Sequence, residues 1–148
     1  MPTSGPGLWG AGDAYERYMG RWSRKVAPLF TDWLGASPGA DWIDVGCGTG
    51  VLTSTVLNRC APSRVVGIDS SAAFLQVAQD GVADSRASFR QGDAQALPEG
   101  DASFHMAVSG LVLNFVPDPA RMVAEMARVA RPGGSSRPTS GTTPAGWT

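Results

Sequence analysis

The sequence predicts an α/β protein built on a doubly wound parallel sheet, and three observations carry that prediction. Short apolar runs, "WIDV" at 42–45, "RVVGID" at 64–69 and "SFHMAVSG" at 103–110, alternate with segments whose apolar residues recur every three or four positions. Strands separated by helices need crossover connections, so the sheet is parallel, and right-handed crossovers put helices on both of its faces. The first strand closes on "GCGTG", three glycines between a strand and a helix, where the chain turns sharply and leaves backbone N–H groups free.

Each element follows in order. Residues 1–12 are rich in Gly and Pro and are expected to be loose. From Asp13, the residues Tyr15, Met19, Trp22, Val26, Leu29, Phe30 and Trp33 have helical spacing, with Gly20 and Pro28 as breaks. The turn "GASPGAD" leads into strand "WIDV", the glycine loop and a helix over "VLTSTVLNRCA". "RVVGID" is the second strand, "SAAFLQVAQDGVA" the next helix, and "ASFRQGD" a third strand opening into the loop "AQALPEGD". After the fourth strand, "PDPARMVAEMARVARPGG" reads as a helix with Asp118 as N-cap, Pro119 at its first position and Gly133 or Gly134 as its stop. Beyond Gly134 there is no Val, Ile, Leu or Phe, and Gly, Pro, Ser and Thr predominate. Such a segment is expected to be disordered rather than a strand, so four strands are predicted, a domain over 13–134 and a tail over 135–148.

Composition narrows the function. The 148 residues are 43% hydrophobic and 17% charged, which suits one domain with a buried core. Twelve basic and thirteen acidic side chains give a net charge of −1, so a nucleic acid or an anionic membrane is not the expected partner and a small molecule is. Cys47 and Cys60 fit neither a metal-ligand pattern nor a disulfide scaffold, which predicts no metal and a reducing, cytoplasmic setting. No apolar run is long enough for a bilayer span, and the start lacks the pattern of a secretory signal. Oligomeric state is left open.

The glycine loop carries most of the chemistry. A hydride-transfer fingerprint needs G-x-G-x-x-G, whereas Gly46, Gly48 and Gly50 are spaced G-x-G-x-G; a P-loop needs a lysine that is missing here. "DVGCGTG" resembles motif I of the class I S-adenosylmethionine-dependent methyltransferases, and companion motifs follow in order. Asp69, ending "VVGID" beside Ser70, matches the family's acidic residue, whose carboxylate accepts from the ribose diol. "QGDAQALP" resembles the family's adenine-binding turn, with Asp93 accepting from the exocyclic amine and the Ala94 backbone against the ring. Ser109, ending the fourth strand, would line the methionine end. Asp44 would hold the loop and complement the cofactor's positive charge, with Cys47 filling the loop. "YERYMGRWSRKVAPLF" resembles the family's amino-terminal helix, which lids the cofactor. The resemblance covers about residues 13–134 and implies a Rossmann-like sheet of seven strands, of which about four are visible here.

Every one of these residues also has a plain reading. Asp69 could be a strand-end cap, Asp93 after Gly92 an ordinary turn, and the aromatics Tyr15, Tyr18 and Trp22 core or lid packing. His105, the only histidine, stands where relatives commonly carry Asp and reads as structural. Displacement at an activated methyl carbon needs positioning and desolvation more than a catalytic triad, and none is visible. "SGLV" after the fourth strand departs from the motif of amino-methylating enzymes that act on bases or glutamine. The expected function is therefore methyl transfer to a small molecule. The alternatives are a noncatalytic cofactor-binding fragment or interaction module and, further off, a nicotinamide oxidoreductase.

The tail carries one further expectation. With suitable third bases, the codons of "RPTSGTTPAGWT", read from the third base of the first, give "AYVWDYAGGMD", an aromatic strand and glycine turn of the kind that follows "RPGG" in relatives. The sequence thus predicts a frameshifted or truncated ending, with activity lost along with the missing strands.

Overall fold

The computed structural model describes residues 21–110 and 116–138. Its elements are α1 (Arg21–Leu34), β1 (Asp41–Val45), α2 (Val51–Arg59), β2 (Arg64–Asp69), α3 (Ala72–Gly81), β3 (Ala87–Gln91), β4 (Phe104–Ser109), α4 (Pro119–Val129) and β5 (Ala130–Pro138). One parallel sheet runs in the order β3-β2-β1-β4-β5. The doubly wound α/β architecture is thus as predicted. β1 is central, with β2 on one side and β4 on the other, so the strand order reverses beside it. Open α/β sheets take ligands at such a switch point, outside the carboxyl ends of the strands.

Alternation along the strands divides the core in two. Trp42 and Val65 join Ala27, Phe30, Leu52 and Val56 under α1 and α2. Their neighbours Ile43 and Val66 point the other way and join Phe104, Met122, Met126 and Val129 under α4. Trp42, Ile43, Phe104 and Met122 are fully buried. Both faces of a parallel sheet need this cover, which is why its strands read as continuous apolar runs.

Three details depart from the sequence reading. Pro28 lies inside α1 and does not end it. The missing N–H costs one helical bond, but the buried Ala27 and Phe30 hold the segment to the core, and Thr31 Oγ1 donates to the Pro28 carbonyl at 3.0 Å. α4 starts as expected, with the Asp118 side chain accepting from Arg121 N and Pro119 in the first turn, but it ends at Val129, before Gly133. The chain then turns extended and forms a fifth strand where four were counted, so residues 135–138, expected to lack structure, lie in β5. β4 would otherwise expose a row of unpaired N–H and C=O groups, and backbone pairing needs no apolar side chain. The register jumps from Phe104↔Ala130 to Met106↔Ser135, so "RPGG" is a bulge opposite His105. Residues 139–148 and the proposed helix start over 13–20 lie outside the described residues.

Candidate functional site

The glycine loop leaves β1 at the switch point and closes on α2. Gly46, Gly48 and Gly50 have φ of 72°, 56° and 90°, left-handed values that a Cβ would strain. Gly46 N and Cys47 N both donate to Ile68 O at 2.7 and 3.0 Å, which ties the loop to the end of β2. Gly50 N donates to Cys47 O at 3.0 Å, and Gly50 then caps α2. A Cβ on Gly50 would meet Ala78 Cβ and Val82 Cγ2, both at 3.2 Å, so α3 presses on the loop from outside.

Two carboxylates flank this loop and differ in surroundings. Asp44 is 1% exposed; its Oδ2 accepts from Thr53 Oγ1 at 2.7 Å, while Oδ1 is buried with no hydrogen-bond partner among the described residues. Burial pushes its carboxyl up to about 7; the Asp69 charge adds to the rise and the Thr53 hydrogen bond opposes it. Asp69 is half-buried and accepts two backbone donors, Gly48 N on Oδ2 at 2.8 Å and Ser71 N on Oδ1 at 2.9 Å. It therefore holds the glycine loop and the start of α3 at once, which makes the strand-end reading true of this state. The remaining lone pairs of its two oxygens are open to a further donor.

Cys47 is buried, and its thiol is pushed well up by burial and by the negative charges of Asp44 and Asp69, so it carries no thiolate nucleophile. Its Sγ sits 2.9 Å from where a Cβ on Gly67 would be, beside Phe89, which explains a glycine in the middle of β2. The next carboxylate, Asp93, begins a tight turn after β3, closed by Ala96 N donating to Asp93 O at 3.0 Å. That turn is joined to β2 by Gly92 N donating to Asp69 O at 3.0 Å. Ala94 packs on the α4 side of the core, Ser70 is exposed with its carbonyl accepting from Gln91 Nε2 at 3.0 Å, and Ser109 is buried at the end of β4. All ten predicted site residues thus fall at the carboxyl ends of β1 to β4, on one edge of the sheet.

His105 lies at the opposite edge. Its Nδ1 accepts from Asp41 N at 2.9 Å and its Nε2 is 2.8 Å from Arg131 Nη1, so it joins the starts of β1 and β4 to β5. The structural reading of this histidine holds. Tyr15 and Tyr18 lie outside the described residues, as do residues 111–115 after β4. The sequence reading missed Thr53, Gly67 and Gln95. Only Thr53 left a faint signal, a hydroxyl one turn into the helix that follows the loop.

Similarity to known proteins agrees with this geometry. A family model described as a methyltransferase domain matches residues 43–136. The chain belongs to this methyltransferase family. It is 41% identical over 115 residues to a ubiquinone biosynthesis O-methyltransferase of Hahella chejuensis, covering 74% of this chain and 48% of that protein. A solved S-adenosylmethionine-dependent methyltransferase of Mesorhizobium loti shares the fold at a TM-score of 0.65 and 28% identity, over 74% of this chain and 50% of that one. The 4+2 cyclase SpnF does so at 0.69 and 29%, over 76% and 43%. The chain spans about half the length or less of the curated relatives it matches, from 33% to 50% among the first of them. The cofactor that motif I implied, S-adenosylmethionine, accords with the family. Among the described residues no helix is long and apolar enough to cross a membrane.

Proposed function

We propose that this chain binds S-adenosylmethionine along the carboxyl edge of β1 to β4 and serves methyl transfer to a small molecule. The observation that carries the reading is the pair of carboxylates at the glycine loop: Asp69 grips Gly48 N–H from β2, and Asp44, in the strand that leads into the loop, bonds Thr53 of α2 and keeps one buried oxygen unpartnered among the described residues. A cationic ligand near that oxygen offsets the cost of burying it, and glycines with positive φ let a ligand lie against the backbone. Asp44 and the loop, with Cys47 as filler, would face the charged methionine end. Asp69 and Ser70 would take the ribose, Asp93 and Ala94 the base, and Ser109 the opening toward substrate.

When bound, the cofactor supplies a methyl group on positively charged sulfur. The protein's contribution is then to bind, orient and exclude water, and the carboxylates of the site are assigned to holding the cofactor. A small acceptor is supported by the even charge balance and by a relative whose name places it in ubiquinone biosynthesis. A reducing cytoplasm suits the two buried free cysteines.

A second reading is binding without methyl transfer. It is favoured by the likeness to the 4+2 cyclase SpnF, whose name gives this fold a different reaction. Calorimetry with S-adenosylhomocysteine and a methyl-release assay with labelled S-adenosylmethionine separate the two. Binding with turnover supports methyl transfer, binding alone supports the second reading, and absence of binding refutes both.

A further inference from the structure

The turn proposed to face the base is not free-standing, and one side chain joins it to α4. Gln95 N donates to Asp93 Oδ1 at 2.8 Å and Gln95 Nε2 approaches the same oxygen at 3.4 Å. Among the described residues both contacts fall on Oδ1, which leaves Oδ2 for another donor. From its other end, Gln95 Oε1 accepts from Asp118 N at 2.9 Å, and its carbonyl accepts from Arg121 Nε at 3.1 Å. Asp118 is the N-cap of α4, so Gln95 ties the Asp93 carboxylate to the start of that helix.

One turn further along, Glu125 Oε1 accepts from Leu97 N at 2.8 Å and Arg128 Nη2 donates to Leu97 O at 3.1 Å. These bonds hold the backbone of the loop whatever residue occupies position 95. Glutamine is suited to the bridge because its amide offers a donor to one neighbour and an acceptor to the other. Glutamate would keep the acceptor toward Asp118 N but set a second carboxylate against Asp93.

We propose that Gln95 is a positioning residue: it fixes the Asp93 carboxylate with Oδ2 presented to the ligand and thereby sets the preference of the site for a 6-aminopurine over a 6-oxopurine. The inference rests on the cofactor reading above. A donor at purine position 6 is rewarded only if the carboxylate is held toward it, whereas the oxo group offers no donor there.

Affinities for S-adenosylhomocysteine and its hypoxanthine counterpart, S-inosylhomocysteine, are measured by calorimetry on the wild type, Gln95→Ala, Gln95→Glu and Asp93→Ala, with thermal melts to verify folding. The wild type favours the amino form, and Gln95→Ala, which keeps the backbone bond from residue 95 to Asp93 Oδ1 but removes the longer side-chain contact and the link to Asp118 N, lowers that preference by about twofold to threefold, less than the worth of one full hydrogen bond, through weaker binding of the amino form. Gln95→Glu lowers it as well despite keeping the bond to Asp118 N, and Gln95→Ala adds nothing in an Asp93→Ala background, because the two act in series. Equal weakening of both ligands, or an effect that persists without Asp93, overturns the proposal while leaving the cofactor reading intact. A folded wild type that binds neither ligand overturns both.

Discussion

Replacing Asp44 by Asn tests the buried carboxylate through its dependence on pH. Burial raises the group from 3.8 to about 7 in the folded chain, so between those values the unfolded state gives up a proton that the folded state keeps. Stability is therefore unpenalised below about pH 4, falls as pH rises, and levels off above about pH 7. A rise of about 3 pH units at about 1.4 kcal/mol each bounds the loss at about 4 kcal/mol. Asn does not titrate. It keeps an oxygen for Thr53 Oγ1 but can leave an amide donor unpaired, a cost of about 1–3 kcal/mol that does not change with pH. Urea denaturation of both proteins from pH 4 to pH 8 isolates the ionisation: the stability of the Asp44→Asn variant relative to wild type climbs by up to about 4 kcal/mol across the range. A flat difference, or one that falls with pH, would mean the ionised carboxylate is stabilised where it lies and would refute the argument. In the wild type, affinity for the cationic cofactor rises over the same interval, and in Asp44→Asn it does not.

Three further outcomes follow from named contacts. Gly67→Ala puts a Cβ 2.6 Å from Phe89 Cδ1 and 2.9 Å from Cys47 Sγ, so a thermal melt shows a loss of about 1–3 kcal/mol from overpacking; an unchanged midpoint would show that β3 yields freely. Asp69→Asn sets an amide donor against either Gly48 N–H or Ser71 N–H, so S-adenosylhomocysteine binding weakens and stability drops by about 1–3 kcal/mol, read by calorimetry and denaturation. His105→Gln leaves any methyl-transfer rate within about twofold, because the ring lies at the far edge of the sheet; a drop of about a hundredfold, the scale of a lost general base, would contradict that placement.

Strands β1, β2 and β4 were legible because each is an apolar run buried on both faces, and "RVVGID" coincides with β2 end to end. The start of α4 was legible for a local reason, since an N-cap aspartate followed by proline acts within one turn. Its end was not. Local rules put the stop at Gly133 or Gly134, but Val129 is the last residue that the core beneath α4 buries, and β4 draws the chain into pairing directly afterward. β5 was invisible for the same reason: "ARPGGSSRP" has no strand pattern, and its pairing depends on a strand whose partner residues, from Phe104↔Ala130 to Ser109↔Pro138, are far off in sequence. Pro28 does not end α1 because its intrinsic cost of about 3 kcal/mol or more is offset by burial of Ala27 and Phe30 beside it.

At the site the division is similar. The order of Asp44, the three glycines, Asp69 and Asp93 along the chain was enough to identify the family and to put these residues at the carboxyl ends of strands, because spacing is a property of sequence. Only the tertiary structure could decide which partners those groups have. Thr53 reaches Asp44, Asp69 reaches Gly48, and Gln95 joins Asp93 to α4, across separations of 9, 21 and 23 residues for Thr53, Gly48 and Asp118 respectively. Hydrogen bonds are satisfied through space, and burial of a carboxylate depends on every element packed around it, so neither could be read before the chain was folded.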